Sequence, residues 1–224
     1  YAYDALNRLT NMVDALGTTH STYDAAGQML SAGGLWSDDT VSLGYTNRLR
    51  VSLGVGSSWH QSYSYDLARR LTSLSSPAGT FNYHHDFQPA SSLVTEIGLP
   101  NGANITNFYD PMARLQETDL NNYWGHTLDG YGYQYDLANQ RTNIVRNLGL
   151  TASTVNAGYD GIGELTSWNA AETNGTPRLN EQLSWAYDAA GNLRLRTNGA
   201  LVQSFTVDSV NELTNITRTG TLTL

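Results

Sequence analysis

The sequence has no cysteine, which excludes disulfides and thiolate metal sites. It has no lysine either, so all 12 basic residues are arginine. Charged residues make up only 14%, and the net charge is -8. Nucleic acid and anionic membranes need a basic face, so neither is expected as the main partner. No run of about 18 apolar residues occurs, and no membrane-spanning helix is expected. No stretch sustains a 3.6-residue period, so almost no helix is expected. The sequence also lacks a Gly-x-Ser-x-Gly elbow, a Walker loop and a Gly-x-Gly-x-x-Gly turn before a helix.

What it does have is Asn, Thr, Ser and Gly in abundance, a composition that suits strands joined by turns. It also has a recurring phrase. Ser184-Trp185-Ala186-Tyr187-Asp188-Ala189-Ala190-Gly191-Asn192-Leu193 holds the pattern Tyr-Asp, two residues, Gly, one residue, Leu. Tyr23-Asp24 leads to Gly27 and Met29, and Tyr159-Asp160 to Gly163 and Leu165. Tyr3-Asp4, Tyr65-Asp66 and Tyr109-Asp110 lead to Leu9, Leu71 and Leu115. Tyr135-Asp136 leads to Asn139 and then to Arg141 where Leu is expected. His85-Asp86, with Pro89 at the Gly place, and Val207-Asp208 are degenerate copies, and Tyr45 to Leu49 is a copy shortened by two residues. The ten starts are spaced 20 to 28 residues apart, so one array of ten repeats fills residues 1–224. The chain opens inside a phrase and closes on Thr221-Leu222-Thr223-Leu224, which reads as a strand; both ends look cut from a longer protein.

Each phrase reads as a β-hairpin. Asp suits the first place of a type I turn, where its carboxylate accepts a backbone N–H two residues on. The Gly place must turn left-handed. The two together make a three-residue loop with a G1 bulge. Tyr187 should then face Leu193, and Asp4 and Asp110 should pair with Arg8 and Arg114. Tyr23, Asp24, Gly27, Tyr109, Asp110, Tyr159, Asp160, Gly163, Tyr187, Asp188 and Gly191 are therefore expected to be turn parts rather than catalysts. After the turn a second apolar residue comes three places after the first, as in Leu71 and Leu74. Either a second bulge puts both on one face, or the sheet is apolar on both. Gly33 to Asp39, Ile97 to Gly102 and Ala170 to Asn180 are expected to be loops.

The phrases resemble the YD repeats of the RHS family, most nearly at Tyr23 to Met29 and Tyr187 to Leu193. The resemblance covers essentially the whole chain. It implies an all-β fold of repeated antiparallel β-hairpins in a curved, spiralling sheet, a segment of a hollow YD-repeat β-shell. Members include bacterial Rhs and Tc toxins and teneurin ectodomains. It implies a structural segment of a large secreted or surface protein, enclosing or presenting a C-terminal toxin or effector. The partners implied are the rest of the shell and its cargo. The family's self-cleaving signature is missing, because Asp110-Pro111 is followed by Met112-Ala113-Arg114.

The alternative is a carbohydrate- or receptor-binding module, with Tyr123 and Trp124 as candidate glycan contacts. An enzyme is not expected. Asp38, Asp39, Glu164, Glu172 and Glu181 are carboxylates that nothing in the sequence brings together. His84-His85-Asp86 would place its imidazoles on opposite faces of a strand. Repeats of about 20 residues are too short for propeller blades of about 40–50. No cofactor and no metal are expected.

Overall fold

The computed structural model describes residues 1–86, 91–147 and 152–222. Pro89, Thr223 and Leu224 lie outside the described residues. Every described element is a β-strand. The chain divides into two compact units, Tyr1–Ile105 and Thr106–Leu224.

The first unit holds β1 (Ala2–Tyr3), β2 (Leu9–Val13), β3 (Thr18–Tyr23), β4 (Met29–Gly33), β5 (Val41–Thr46), β6 (Leu49–Val55), β7 (Trp59–Tyr65), β8 (Leu71–Ser76), β9 (Gly79–His85) and β10 (Val94–Gly98). β11 (Asn104–Tyr109) contains the division. The second unit holds β12 (Leu115–Asn121), β13 (Thr127–Tyr135), β14 (Arg141–Arg146), β15 (Ser153–Tyr159), β16 (Leu165–Glu172), β17 (Pro177–Tyr187), β18 (Leu193–Asn198), β19 (Leu201–Val207) and β20 (Leu213–Thr219). Within each unit consecutive strands pair antiparallel, from β1 through β10 and from β12 through β20. Each unit is thus an antiparallel meander. Tyr-Asp turns close the odd-to-even connections along one edge, and other connectors run along the opposite edge.

The register decides how the apolar residues are placed. Tyr65 faces Leu71, Ser64 faces Ser73 and Tyr63 faces Leu74, which leaves Thr72 as the extra residue of a bulge. That bulge cancels the odd spacing, so Leu71 and Leu74 share the tyrosine face. The same shift recurs at Thr22/Tyr23, Gln134/Tyr135, Gly158/Tyr159, Ala186/Tyr187 and Thr206/Val207. One face of each unit is consequently aromatic and aliphatic. Leu43 faces Leu53, Leu74 faces Phe81, Tyr133 faces Ile144, Trp168 faces Leu183 and Phe205 faces Ile216.

Short uncharged polar residues and glycine are common on the other face, with Glu117, Asp119 and Leu195 among the exceptions. Ser31 faces Ser42, Ser52 faces Ser62 and Ser167 faces Ser184. Hydroxyls and amides bond across the strands there, as between Thr22 and Ser31 at 2.6 Å, Asn143 and Asn156 at 2.9 Å, and Ser184 and Thr197 at 2.6 Å.

Neither unit packs a second layer over its aromatic face. Among the described residues the buried apolar ones are the small Ala103, Ala157 and Ala170, and no large side chain is fully buried. The chain exposes 14305 Å², whereas a globular protein of its mass exposes on the order of 10,000 Å².

Three stretches expected as loops are shorter than the sequence indicates. Ile97 and Gly98 end β10, facing Tyr83 and Asn82, and Gly33 ends β4. Ala170–Glu172 and Pro177–Asn180 are strand; only residues 173–176 turn, closed by Glu172 N–H donating to the Thr176 carbonyl at 2.8 Å. Arg178, bridging Glu172 and Glu181, locks the two arms together. At the far end the strand stops at Thr219, and Thr221 and Leu222 lie outside it. Gly220, at φ +77, takes the chain out of the ladder.

Candidate functional site

Eight of the turns share one geometry. In the copy at Asp188, its N–H donates to the Asn192 carbonyl and the Gly191 N–H returns to the Asp188 carbonyl, both at 3.0 Å. The Asp188 carboxylate accepts from the N–H groups of Ala190 and Asn192. The same two backbone bonds recur at Asp4, Asp24, Asp66, Asp110, Asp136, Asp160 and Asp208. The left-handed place is Gly27, Gly163 and Gly191 in three copies. It is Asn7, Asn139 and Asn211 in three more, and Arg69 and Ala113 in the remaining two. The shortened copy turns through Asn47 and Arg48, both at positive φ, the signature of a type I′ hairpin.

These backbone donors hold the carboxylates of Asp4, Asp66, Asp110, Asp160 and Asp188 below the usual range. Burial pushes the Glu164 carboxyl the other way.

Two further contacts join successive repeats, and sequence reading misses both. The phrase tyrosine faces its own Leu or Met, as Tyr23 faces Met29 and Tyr187 faces Leu193. Its hydroxyl also donates back to a carbonyl of the preceding repeat. Tyr23 reaches Leu9 and Tyr65 reaches Arg50, both at 2.9 Å. Tyr135 reaches Leu115 at 2.7 Å, Tyr159 reaches Arg141 at 2.9 Å and Tyr187 reaches Leu165 at 3.1 Å.

The residue after the Gly place reaches forward. Arg8 binds Asp4 at 2.6 Å, the Asp24 carbonyl at 2.7 Å, and lies 4.8 Å over the Tyr23 ring. Arg114 binds Asp110 at 2.6 Å, donates to Asn139 at 3.0 Å and lies 4.8 Å over Tyr135. Arg70, a pair absent from the sequence expectation, binds Asp66 at 2.7 Å and the Ser91 carbonyl. The signal was available: an arginine directly after the left-handed residue, as in the other two.

Tyr123 and Trp124 sit at a hairpin tip on the opposite edge. They are 75% and 78% exposed, with their rings edge to face at 5.9 Å. Asn122 replaces the turn aspartate there and accepts from the N–H groups of Trp124 and His126.

A cleft of about 340 Å³ opens on the aromatic face of the second unit. Tyr131 and Tyr133 come from β13, Arg141 and Arg146 from β14, Trp168 from β16 and Arg178 from β17. Arg146 grips Asp129 with two bonds of 2.9 and 3.0 Å, which hold that carboxyl below its usual range. Arg178 binds Glu172 at 2.8 Å and Glu181 at 3.1 Å. Glu172 and Glu181 thus meet at one guanidinium, a pairing the sequence does not reveal. Arg141 differs: it lies 4.1 Å over Tyr133 and 5.9 Å over Tyr135, and no ion pair joins it to a described carboxylate.

Residues 3–33 match the family model described as RHS Repeat. The phrases at 3–9 and 23–29 both fall in that match, and the turn they share recurs along both units. No curated protein matches the chain by sequence.

Among solved structures, the chain is similar to the crystal structure of TcdB2-TccC3 without hypervariable C-terminal region. The TM-score is 0.72 at 16% identity, covering 94% of this chain and 12% of that one. A second crystal structure, of TcdB2-TccC3, matches at TM-score 0.57 and 14% identity, over 97% and 15%. The Photorhabdus luminescens Tc holotoxin pore matches at 0.52 and 16%, over 96% and 12%. The likeness is one of fold. This chain spans less than a sixth of each of those chains.

Proposed function

We propose that the chain is a stretch of wall in a larger secreted or surface-displayed protein, and that this wall encloses a C-terminal effector segment. The observation that carries this reading is the uncovered aromatic face. A single-layer sheet with no large buried side chain is out of place as a free-standing domain. It makes sense where the rest of a shell flanks it and cargo lies against it. The fold shared with TcdB2-TccC3, a protein with a hypervariable C-terminal region, supports the same reading. The aspartates of the repeated turns are committed to backbone N–H groups, which favours a mechanical role for them.

Limited proteolysis of the full-length parent tests the proposal. The segment following the repeats should resist digestion in the intact protein and be digested once the shell is unfolded. Equal digestion in both states overturns it.

A second reading, glycan contact at Tyr123 and Trp124, is favoured by one observation. The two rings are exposed together on a turn stiffened by Asn122. Binding on a glycan array that disappears in Trp124→Ala supports it, and no binding by the unaltered chain rejects it.

A further inference from the structure

We propose that the cleft of about 340 Å³ around Arg141 is an anchor for an acidic side chain of an extended polypeptide lying across the second unit. This rests on the reading above that a polypeptide lies against the aromatic face.

The starting observation is a broken rule. Where most copies of the phrase place Leu or Met opposite the tyrosine, this copy places Arg141 opposite Tyr135. The backbone role is unchanged, because the Tyr159 hydroxyl still bonds the Arg141 carbonyl at 2.9 Å. The side chain has therefore been exchanged without altering the ladder. A local rule broken inside an otherwise consistent repeat marks a functional position. Arg50 makes the same exchange opposite Tyr45 in the first unit, where it lies 4.9 Å over the Tyr63 ring.

The second observation is charge. Three guanidinium groups line the cleft of a chain whose net charge is -8. Three carboxylates balance them: Asp129 pairs with Arg146, and Glu172 and Glu181, the latter in the cleft lining, both pair with Arg178, so Arg141 is the one of the three with no ion pair to a described carboxylate. Arg141 is exposed and bears its charge over two tyrosine rings. Stacking fixes the plane of a guanidinium and leaves its N–H edge open, an arrangement suited to a carboxylate.

The walls select the kind of carboxylate. Ile144, Val155 and Trp168 offer apolar surface beside Arg141. The carboxylates that would accept sugar hydroxyls are already held by Arg146 and Arg178. An acidic residue flanked by apolar ones satisfies both parts of the cleft, and polygalacturonate tests the competing fit of a sugar acid against its aromatic rings.

The test is fluorescence anisotropy on the whole chain with a labelled peptide alternating Glu and Leu. Its Gln-for-Glu counterpart and polygalacturonate serve as comparisons. Arg141→Leu restores the residue the other repeats carry and should fold as the parent does, as circular dichroism will report. The Glu peptide should bind, weaken with added salt, and lose tenfold or more in affinity in Arg141→Leu or when its Glu residues become Gln. No binding, unchanged binding in Arg141→Leu, or preference for polygalacturonate overturns the anchor. These outcomes are separate from the protease test. A peptide-binding chain whose parent leaves its C-terminal segment digestible keeps the anchor and loses enclosure, and the reverse result does the opposite.

Discussion

The left-handed residue of each turn is a point where single substitutions have predictable sign. Ala113 sits at φ 61, a conformation that costs an L-residue about 1–2 kcal/mol relative to glycine. Ala113→Gly should raise stability by roughly 0.5–1 kcal/mol after the greater flexibility of unfolded glycine is offset. Urea unfolding measures it, and an unchanged or lower midpoint would contradict the assignment.

The turn aspartates set an acid limit. Asp4, Asp66, Asp110, Asp160 and Asp188 are all held low, first by the N–H of the residue four places on. A carboxyl whose folded pKa is depressed stabilises the fold above its unfolded pKa and loses that contribution as pH falls through the folded value. Five such groups outweigh Glu164, which burial pushes up and which therefore opposes folding when ionised. Melting temperature should be flat from pH 7 to about 5 and fall steadily below about 4. A melting temperature that rises on acidification would refute it.

At the level of the hairpin, the tyrosine hydroxyl joins each element to the one before. Tyr187→Phe removes only the bond to the Leu165 carbonyl and keeps the ring against Leu193. The expected loss is about 0.5–1.5 kcal/mol, read by urea unfolding, with no change in far-ultraviolet circular dichroism. A loss below a few tenths would mean water replaces the hydroxyl's acceptor at no cost.

The hairpins themselves were legible, because Asp at the turn start and Gly or Asn three places on are demanded by dihedral angles that few residues adopt. The sidedness was not, because an extra residue such as Thr72 reverses which face the following side chains take. The stretch 170–180 misled for a compositional reason. Thr173, Asn174, Gly175 and Thr176 do form the turn, but Glu172, Pro177, Arg178 and Asn180 beside them continue the strands, so polar and proline residues do not separate loop from strand here. The cleft was half legible. Arg141 announced itself by replacing Leu, whereas Trp168 and Arg178 reach it from strands whose register only the fold supplies.

For the whole molecule, the governing quantity is the 14305 Å² left in contact with solvent. β20 is exposed along its entire length, and among the described pairings only β19 adjoins it. A strand paired on one edge alone, beside an open aromatic face, is a template for a second chain. The isolated chain should self-associate in a concentration-dependent way in sedimentation velocity, with dispersal on dilution. A monomer across the whole concentration range would show that the chain tolerates both surfaces bare.

The backward reach of the tyrosine hydroxyls gives the sheet a direction of growth. A new hairpin such as that of Tyr23, Tyr135 or Tyr187 finds its acceptor carbonyl on a strand already laid down, while the forward contacts of Arg8 and Arg114 close once the next repeat arrives. Contacts stay short in sequence throughout, so synthesis and assembly can keep pace like courses of brick laid one upon the next.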